Sequence, residues 1–186
     1  MVNGKRRGRF FIGGLVTALV LLGVGVYWFQ PWKLWQDDRV NEALPTALRP
    51  APSAPAGPSG AAASPAAPTL RTVAQGDLIS HEHTTTGTAK LIRLADGSHT
   101  LRLENLDTSN GPDLRVWLTD APVKEGTAGW RVFDDGKHVS LGKLKGNKGD
   151  QNYEVPAGLD LSAYSSVTIW CDRFDVSFGA AELTQA

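Results

Sequence analysis

The chain has 186 residues with 19 Lys plus Arg against 19 Asp plus Glu, so its formal charge is zero and its length suits one ordinary domain with accessories. The balance is uneven: up to Pro68 there are seven cationic and three acidic residues, beyond it twelve and sixteen, so the larger part is acidic and unsuited to nucleic acid, whose binding draws on Lys and Arg. A single cysteine excludes an internal disulfide framework and metal centres built wholly of thiolates.

Residues 1–9 form a basic tail with Lys5, Arg6, Arg7 and Arg9, and residues 10–29 carry no charge. Those 20 residues make about 30 Å of helix, the thickness of a bilayer core, and predict a membrane span from Phe10 to Phe29. Only Lys33 and Arg39 follow closely, so the positive-inside rule predicts a cytoplasmic N-terminus and an extracytoplasmic remainder, a single-pass signal-anchor in the cell membrane. Tyr27, Trp28, Trp32 and Trp35 suit an interfacial aromatic belt. A cleaved secretory signal is the alternative; it ends at small residues, whereas aromatics and Gln30-Pro31 follow here.

Residues 30–68 read as a juxtamembrane segment and a disordered linker. From Ala43 to Pro68, 10 Ala and 7 Pro fill most of 26 residues, with Arg49 the one charge, a composition that cannot bury a core. Such a tether reaches roughly 80 Å if fully extended at about 3.1 Å per residue.

Residues 69–186 alternate apolar and polar positions between Gly, Pro, Asn and Asp punctuation, which predicts an all-β domain: a single antiparallel β-sandwich or jelly-roll-like barrel. Asp96-Gly97 suits a two-residue hairpin turn, which sets Ile92 opposite Leu101 and Leu94 opposite His99 and gathers Ile92, Leu94, Leu101 and Leu103 on one core face. Leu114, Val116 and Leu118 alternate with Arg115 and Trp117, and Val167, Ile169 and Cys171 with Thr168 and Trp170.

Motifs for independent catalysis are absent: no G-x-S-x-G, G-x-G-x-x-G, P-loop or C-x-x-C-H. His81-Glu82-His83 lacks the second histidine of a zinc-protease helix, since Thr85 stands there, but on a strand His81 and His83 share a face and with His99 or His138 form a candidate metal set. Gly111-Pro112-Asp113 reads as a rigid turn at strand entry, and Asp134-Asp135-Gly136 as another turn. The loop from Gly142 to Gly149, with three lysines, suggests either anion binding or a solvated loop. Cys171 points inward if Val167 and Ile169 set the parity, which then requires a bulge or tight turn at Asp172-Arg173, and outward if Trp170, Phe174, Val176 and Phe178 form one inner face. A buried cysteine is inert; a reactive one needs exposure and positive charge.

His83 to Ala89 (with Gly87), Ser109 to Trp117 (with Gly111, Pro112 and Asp113), Leu141 to Asn147, Gln151 to Pro156, Ser166 to Phe174 (with Trp170, Cys171, Arg173 and Phe174) and Phe178-Gly179 together resemble the DM13 domain family over roughly Gly76 to Leu183. The resemblance implies a redox or electron-transfer domain behind a membrane anchor, with Cys171 as redox centre or as a ligand to a prosthetic group. Haem or copper is then a candidate cofactor, with His81, His83 or His99 as co-ligands. A redox partner of the cell envelope is implied too. The rival expectation is a non-catalytic envelope-binding module in which Cys171 only packs and exposed Trp117 and Trp130 make contact.

Overall fold

The structure, a computed structural model, describes residues 3–45 and 70–186, with backbone only for residues 3–12 and Leu34. The basic side chains of the tail and most of the Pro/Ala run therefore lie outside the described residues. The chain divides into two units, Met1–Gln36 and Asp37–Ala186.

The first unit is helix α1, Asn3–Phe29, followed by a 3-10 turn, Pro31–Trp35. Its window Gly13–Lys33, 21 residues with a mean hydropathy of 1.6, is long and apolar enough to cross a bilayer. The Thr17 hydroxyl donates to the Gly13 carbonyl at 3.0 Å, so that polar group is satisfied within the helix. A single apolar helix near the N-terminus is compatible with a single-pass anchor.

The second unit contains eleven strands among the described residues: β1 Arg39–Asn41, β2 Arg71–Asp77, β3 Ile79–Ser80, β4 Thr86–Arg93, β5 His99–Asp107, β6 Leu114–Thr119, β7 His138–Lys143, β8 Lys148–Glu154, β9 Ser166–Cys171, β10 Val176–Glu182 and β11 Thr184–Gln185. They form two sheets, in the orders β1-β8-β5-β4-β2-β11 and β3-β10-β9-β6-β7. Ala89, Leu91, Leu101, Leu103 and Tyr153 of the first sheet meet Leu114, Val116, Leu118, Val167, Ile169 and Cys171 of the second in one buried cluster, which makes the fold a β-sandwich.

One expectation needs correction. The β4–β5 hairpin pairs Leu91 with Leu101 and Arg93 with His99, one residue away from the expected register. A two-residue turn is replaced by a three-residue loop: Leu94 N–H donates to Ser98 O, Gly97 N–H to Leu94 O, and Gly97 sits at φ 86°. The Asp96 carboxylate stabilises that loop by accepting from Ser98 N–H at 2.9 Å and its hydroxyl at 2.6 Å. Ala89 and Leu91 consequently face the core, while Ile92 is buried on the opposite face and Leu94 is half-exposed. The residues just before the Pro/Ala run belong to the same unit as the sheets. Strand β1 runs parallel to β8, pairing Arg39, Val40 and Asn41 with Lys148, Gly149 and Asp150, and caps the edge of the first sheet.

Candidate functional site

Strand β9 is central in its sheet, between β10 and β6, and all six of its residues are buried. Its alternation sends Val167, Ile169 and Cys171 into the inter-sheet core and Trp170 to the opposite face. Burial on both faces has a local cause: the connection between β6 and β7 carries Ala121 and Phe133 onto the outer face, where they pack with Trp117, Trp170 and Ala180.

Cys171 ends β9 opposite Leu114 of β6 and Val176 of β10. The four-residue turn Asp172–Asp175, with Asp175 at φ 49°, returns Val176 to the face of Cys171. A register shift between Ser177 and Gly179 then inserts Phe178, so Val176 and Phe178 as well as Ala181 reach the core. The inward reading of Cys171 is the one observed, and the required turn and a bulge are both present.

The segments Gly111–Asp113 and Trp170–Phe174 meet at this corner: Asp172 N–H donates to Asp113 O at 3.0 Å. On its rim, Arg115 lies between two carboxylates, with Nε 2.8 Å from Asp172 Oδ2 and Nη2 3.5 Å from Asp113 Oδ2. Lys143 Nζ stands 3.8 Å from Asp113 Oδ1, which is buried without a hydrogen-bond partner. Cys171 itself is 0% exposed. Burial pushes its thiol pKa up, the backbone N–H groups of Arg173, Phe174 and Asp113 act in the other direction, and the Asp113 charge adds to the rise. The neutral thiol is the resting form.

Several other motif residues have structural tasks. A Cβ on Gly111 would press on Leu114 and Phe178, and one on Gly179 would stand 2.7 Å from Thr85 Cβ, so both glycines permit close packing. Gly87, at φ 129°, lies where a Cβ would meet Glu104 O at 2.8 Å. Pro112 opens the turn into β6. The His83 ring packs on Phe178 at 4.0 Å between centroids and its Nε2 pairs with Glu82 at 2.6 Å. Phe174 packs against the core, and Arg131 donates to the Phe174 and Asp175 carbonyls, each at 3.1 Å, fixing the turn that contains Arg173.

The histidines do not assemble. His81 and His83 sit in a bend after β3, not on a strand; His81, 8% exposed, is held by Ser177 Oγ (2.7 Å) and Lys124 O (3.0 Å), while His99 begins β5 at the distant hairpin. Among the described residues no group of three or more His, Cys, Asp or Glu is placed to hold a metal ion. Haem and copper fit the corner poorly for a separate reason: the sulfur is packed among hydrocarbon, and even a Cβ on the adjoining Gly111 would press on Leu114 and Phe178 at 3.0–3.1 Å. An open groove lined by Gln75, Asp77, Thr88, Lys90, Glu125 and Glu182 includes neither Cys171 nor any residue of the 111–113 and 170–174 segments.

Trp117, expected at the surface, is 6% exposed. It stacks on Trp170 at 5.2 Å and on exposed His138 at 4.3 Å, and Trp170 meets Phe133 edge-on at 6.5 Å. Its Nε1, like that of half-buried Trp130, is buried with no hydrogen-bond partner. Sequence reasoning missed this aromatic stack; the signal was the i, i+2 parity that put Trp117 and Trp170 on one face of adjoining strands. Every exposed large hydrophobic residue described lies between Leu15 and Trp35, so the β domain offers no aromatic contact patch.

A family model described as "Electron transfer DM13" matches residues 77–183. No curated protein and no solved structure matches the chain.

Proposed function

The chain belongs to the DM13 family, described as electron transfer, and from that premise we propose a membrane-anchored, extracytoplasmic electron-transfer module whose redox centre is Cys171. The observation that carries this reading is the meeting of the two motif segments, 111–113 and 170–174, around the one thiol of the chain. The cations at positions 5, 6, 7 and 9 support the cytoplasmic N-terminus.

Burial selects the mode. Thiol–disulfide exchange needs a partner sulfur to touch this one, and a sulfur with 0% exposure is closed to it. A single electron needs no such contact. In that step the Cys171 thiol loses one electron to a one-electron acceptor, such as an oxidised metalloprotein of the envelope, and its proton passes to a base, leaving a sulfur-centred radical; the Asp113 carboxylate, whose charge acts on this thiol, is the candidate base. The route to the surface is the stack Trp170–Trp117–His138, which starts at the residue preceding Cys171 and ends at an exposed ring.

Photochemical one-electron oxidation of the full chain in detergent tests this reading by electron paramagnetic resonance. A sulfur-centred signal in the wild type, lost in Cys171→Ser with the melting transition retained and diminished in Trp117→Phe, is expected. Identical spectra for the wild type and Cys171→Ser would remove the cysteine from the role.

A further inference from the structure

The stretch from Asp37 to Ala43 lies outside the family match and follows the unit of the apolar helix in the chain, yet it is bonded to the edge of the first sheet. Its backbone pairs with β8, and Glu42 N–H continues the ladder to Asp150 O at 2.9 Å. Each end is then clamped by side chains. At the start, Asp38 N–H donates to Asn147 Oδ1 at 2.6 Å, Asn110 Nδ2 to Asp38 Oδ2 at 2.8 Å, and Asn147 Nδ2 to Asp37 Oδ1 at 3.0 Å. At the finish, Lys145 Nζ grips both Glu42 oxygens at 2.7 and 2.9 Å, Arg102 donates to the Glu42 carbonyl at 3.0 Å, and Asn152 donates from its backbone to Glu42 Oε2 at 2.7 Å and from its side chain to Ala43 O at 2.8 Å.

The receiving surface is shaped for a strand. A Cβ on Gly146 would collide with the Asp38 carbonyl, and one on Gly149 with the Val40 carbonyl; Gly149 also holds φ 97°. Asn147 and Gln151, 1% and 0% exposed, brace this loop, Gln151 through Gly146 O (2.6 Å) and Lys145 N–H (3.1 Å). The lysines that suggested an anion site find their anions in the same chain: Lys145 takes Glu42 and Lys148 takes Asp37 at 3.3 Å.

The covalent path from helix to domain thus reaches the first sheet with Gln36 alone between Trp35 and Asp37, whereas the Pro/Ala run leaves that sheet at β1 and rejoins it at β2. We propose that β1 is a non-covalent clip joining the anchor to the domain, and that the Pro/Ala run is a closed excursion whose cleavage does not release the domain. This inference is independent of the electron-transfer reading.

The test uses the full chain in membranes with a site-specific protease sequence placed within residues 50–60. After complete cutting at neutral pH and physiological salt, the 70–186 piece is expected to stay with the membranes through washing. Val40→Pro, which cannot sustain the ladder, is expected to speed its loss on the order of tenfold or more. Lys145→Glu does the same, and Glu42→Lys added to it slows the loss again; this charge swap carries the test if the proline variant fails to fold. A cut wild-type domain that washes away as fast as the Val40→Pro one overturns the proposal, and so does a domain that stays bound in every variant.

Discussion

The corner around Cys171 and the edge around β1 are built on opposite terms. At the corner, five glycine, proline, aromatic and cysteine positions of the family pattern converge, and the result is a dry, closed site with one titratable group held neutral. At the edge, the receiving loop belongs to the matched span but the strand it holds, residues 39–41, does not, and the bonds include ion pairs between partly exposed side chains. Motif residues therefore gather where packing is closest, while attachment is written in complementary side chains that only three-dimensional proximity reveals.

The largest effect is expected at the corner's outer face. Trp170→Ala removes a ring packed against Trp117 and Phe133, and a loss of about 3–5 kcal/mol is expected from thermal or urea unfolding. Clip retention in the cutting assay would fall with it, because the inner face of β9 packs against the sheet that holds β1. Cys171→Ser comes next. Replacing a fully buried thiol with a hydroxyl among Leu114, Val176 and Phe178 is expected to cost about 1–3 kcal/mol, with Cys171→Ala costing less than Ser. In the unmodified protein the same burial should slow a thiol-reactive dye on the order of a hundredfold or more relative to the unfolded chain. Dye reacting at equal rates in native and urea-unfolded protein would break the contrast between the two regions.

At the edge, Gly149→Ala forces a side chain into φ 97° and against the Val40 carbonyl, worth about 1–3 kcal/mol locally. Hydrogen exchange at Arg39–Asn41 is expected to quicken while the main unfolding transition moves little. Acid should loosen the same strand. Glu42 has its pKa held below the ordinary value, burial working against this and the Lys145 and Asn152 bonds producing it, so its contribution is complete above about pH 4.5 and fades as pH falls further.

Much of this was legible from the chain alone. The apolar run follows from its length and lack of charge and the alternation of β6 and β9 from a period of 2, but that period leaves the facing of Cys171 open, because the turn Asp172–Asp175 decides it. The β4–β5 register was lost because a single hydrogen-bonding side chain, Asp96, decides between loop lengths that look alike in sequence. Trp117 was misplaced because the polar parity of β6 faces another layer of chain, the β6–β7 connection, and no strand pattern announces a second covering. Strand β1 was hidden by length and company: three residues beside a low-complexity run have no periodicity, and their partners lie about a hundred positions away in Lys145, Asn147 and Asn152.

The smallest expected effect concerns His81, which lies at the far end of the aromatic layer, stacked on Phe133 at 5.7 Å and hydrogen-bonded to Ser177 and the Lys124 carbonyl. Burial lowers its pKa below 6.5, with the Lys124 carbonyl opposing the shift. The unfolded chain therefore binds this proton more readily than the native one, so stability is complete above about pH 6.5 and declines as pH falls through that value toward the native pKa. A melting temperature that drops between pH 7 and 5 in the wild type, and drops less in His81→Asn, is the expected pattern. Because Glu42 at the β1 edge is held below its ordinary value, its contribution fades only below about pH 4.5, so the two regions should loosen in separate windows, the aromatic layer first and the edge after it. Equal slopes in the wild type and His81→Asn would mean that this histidine is not shielded as its packing requires.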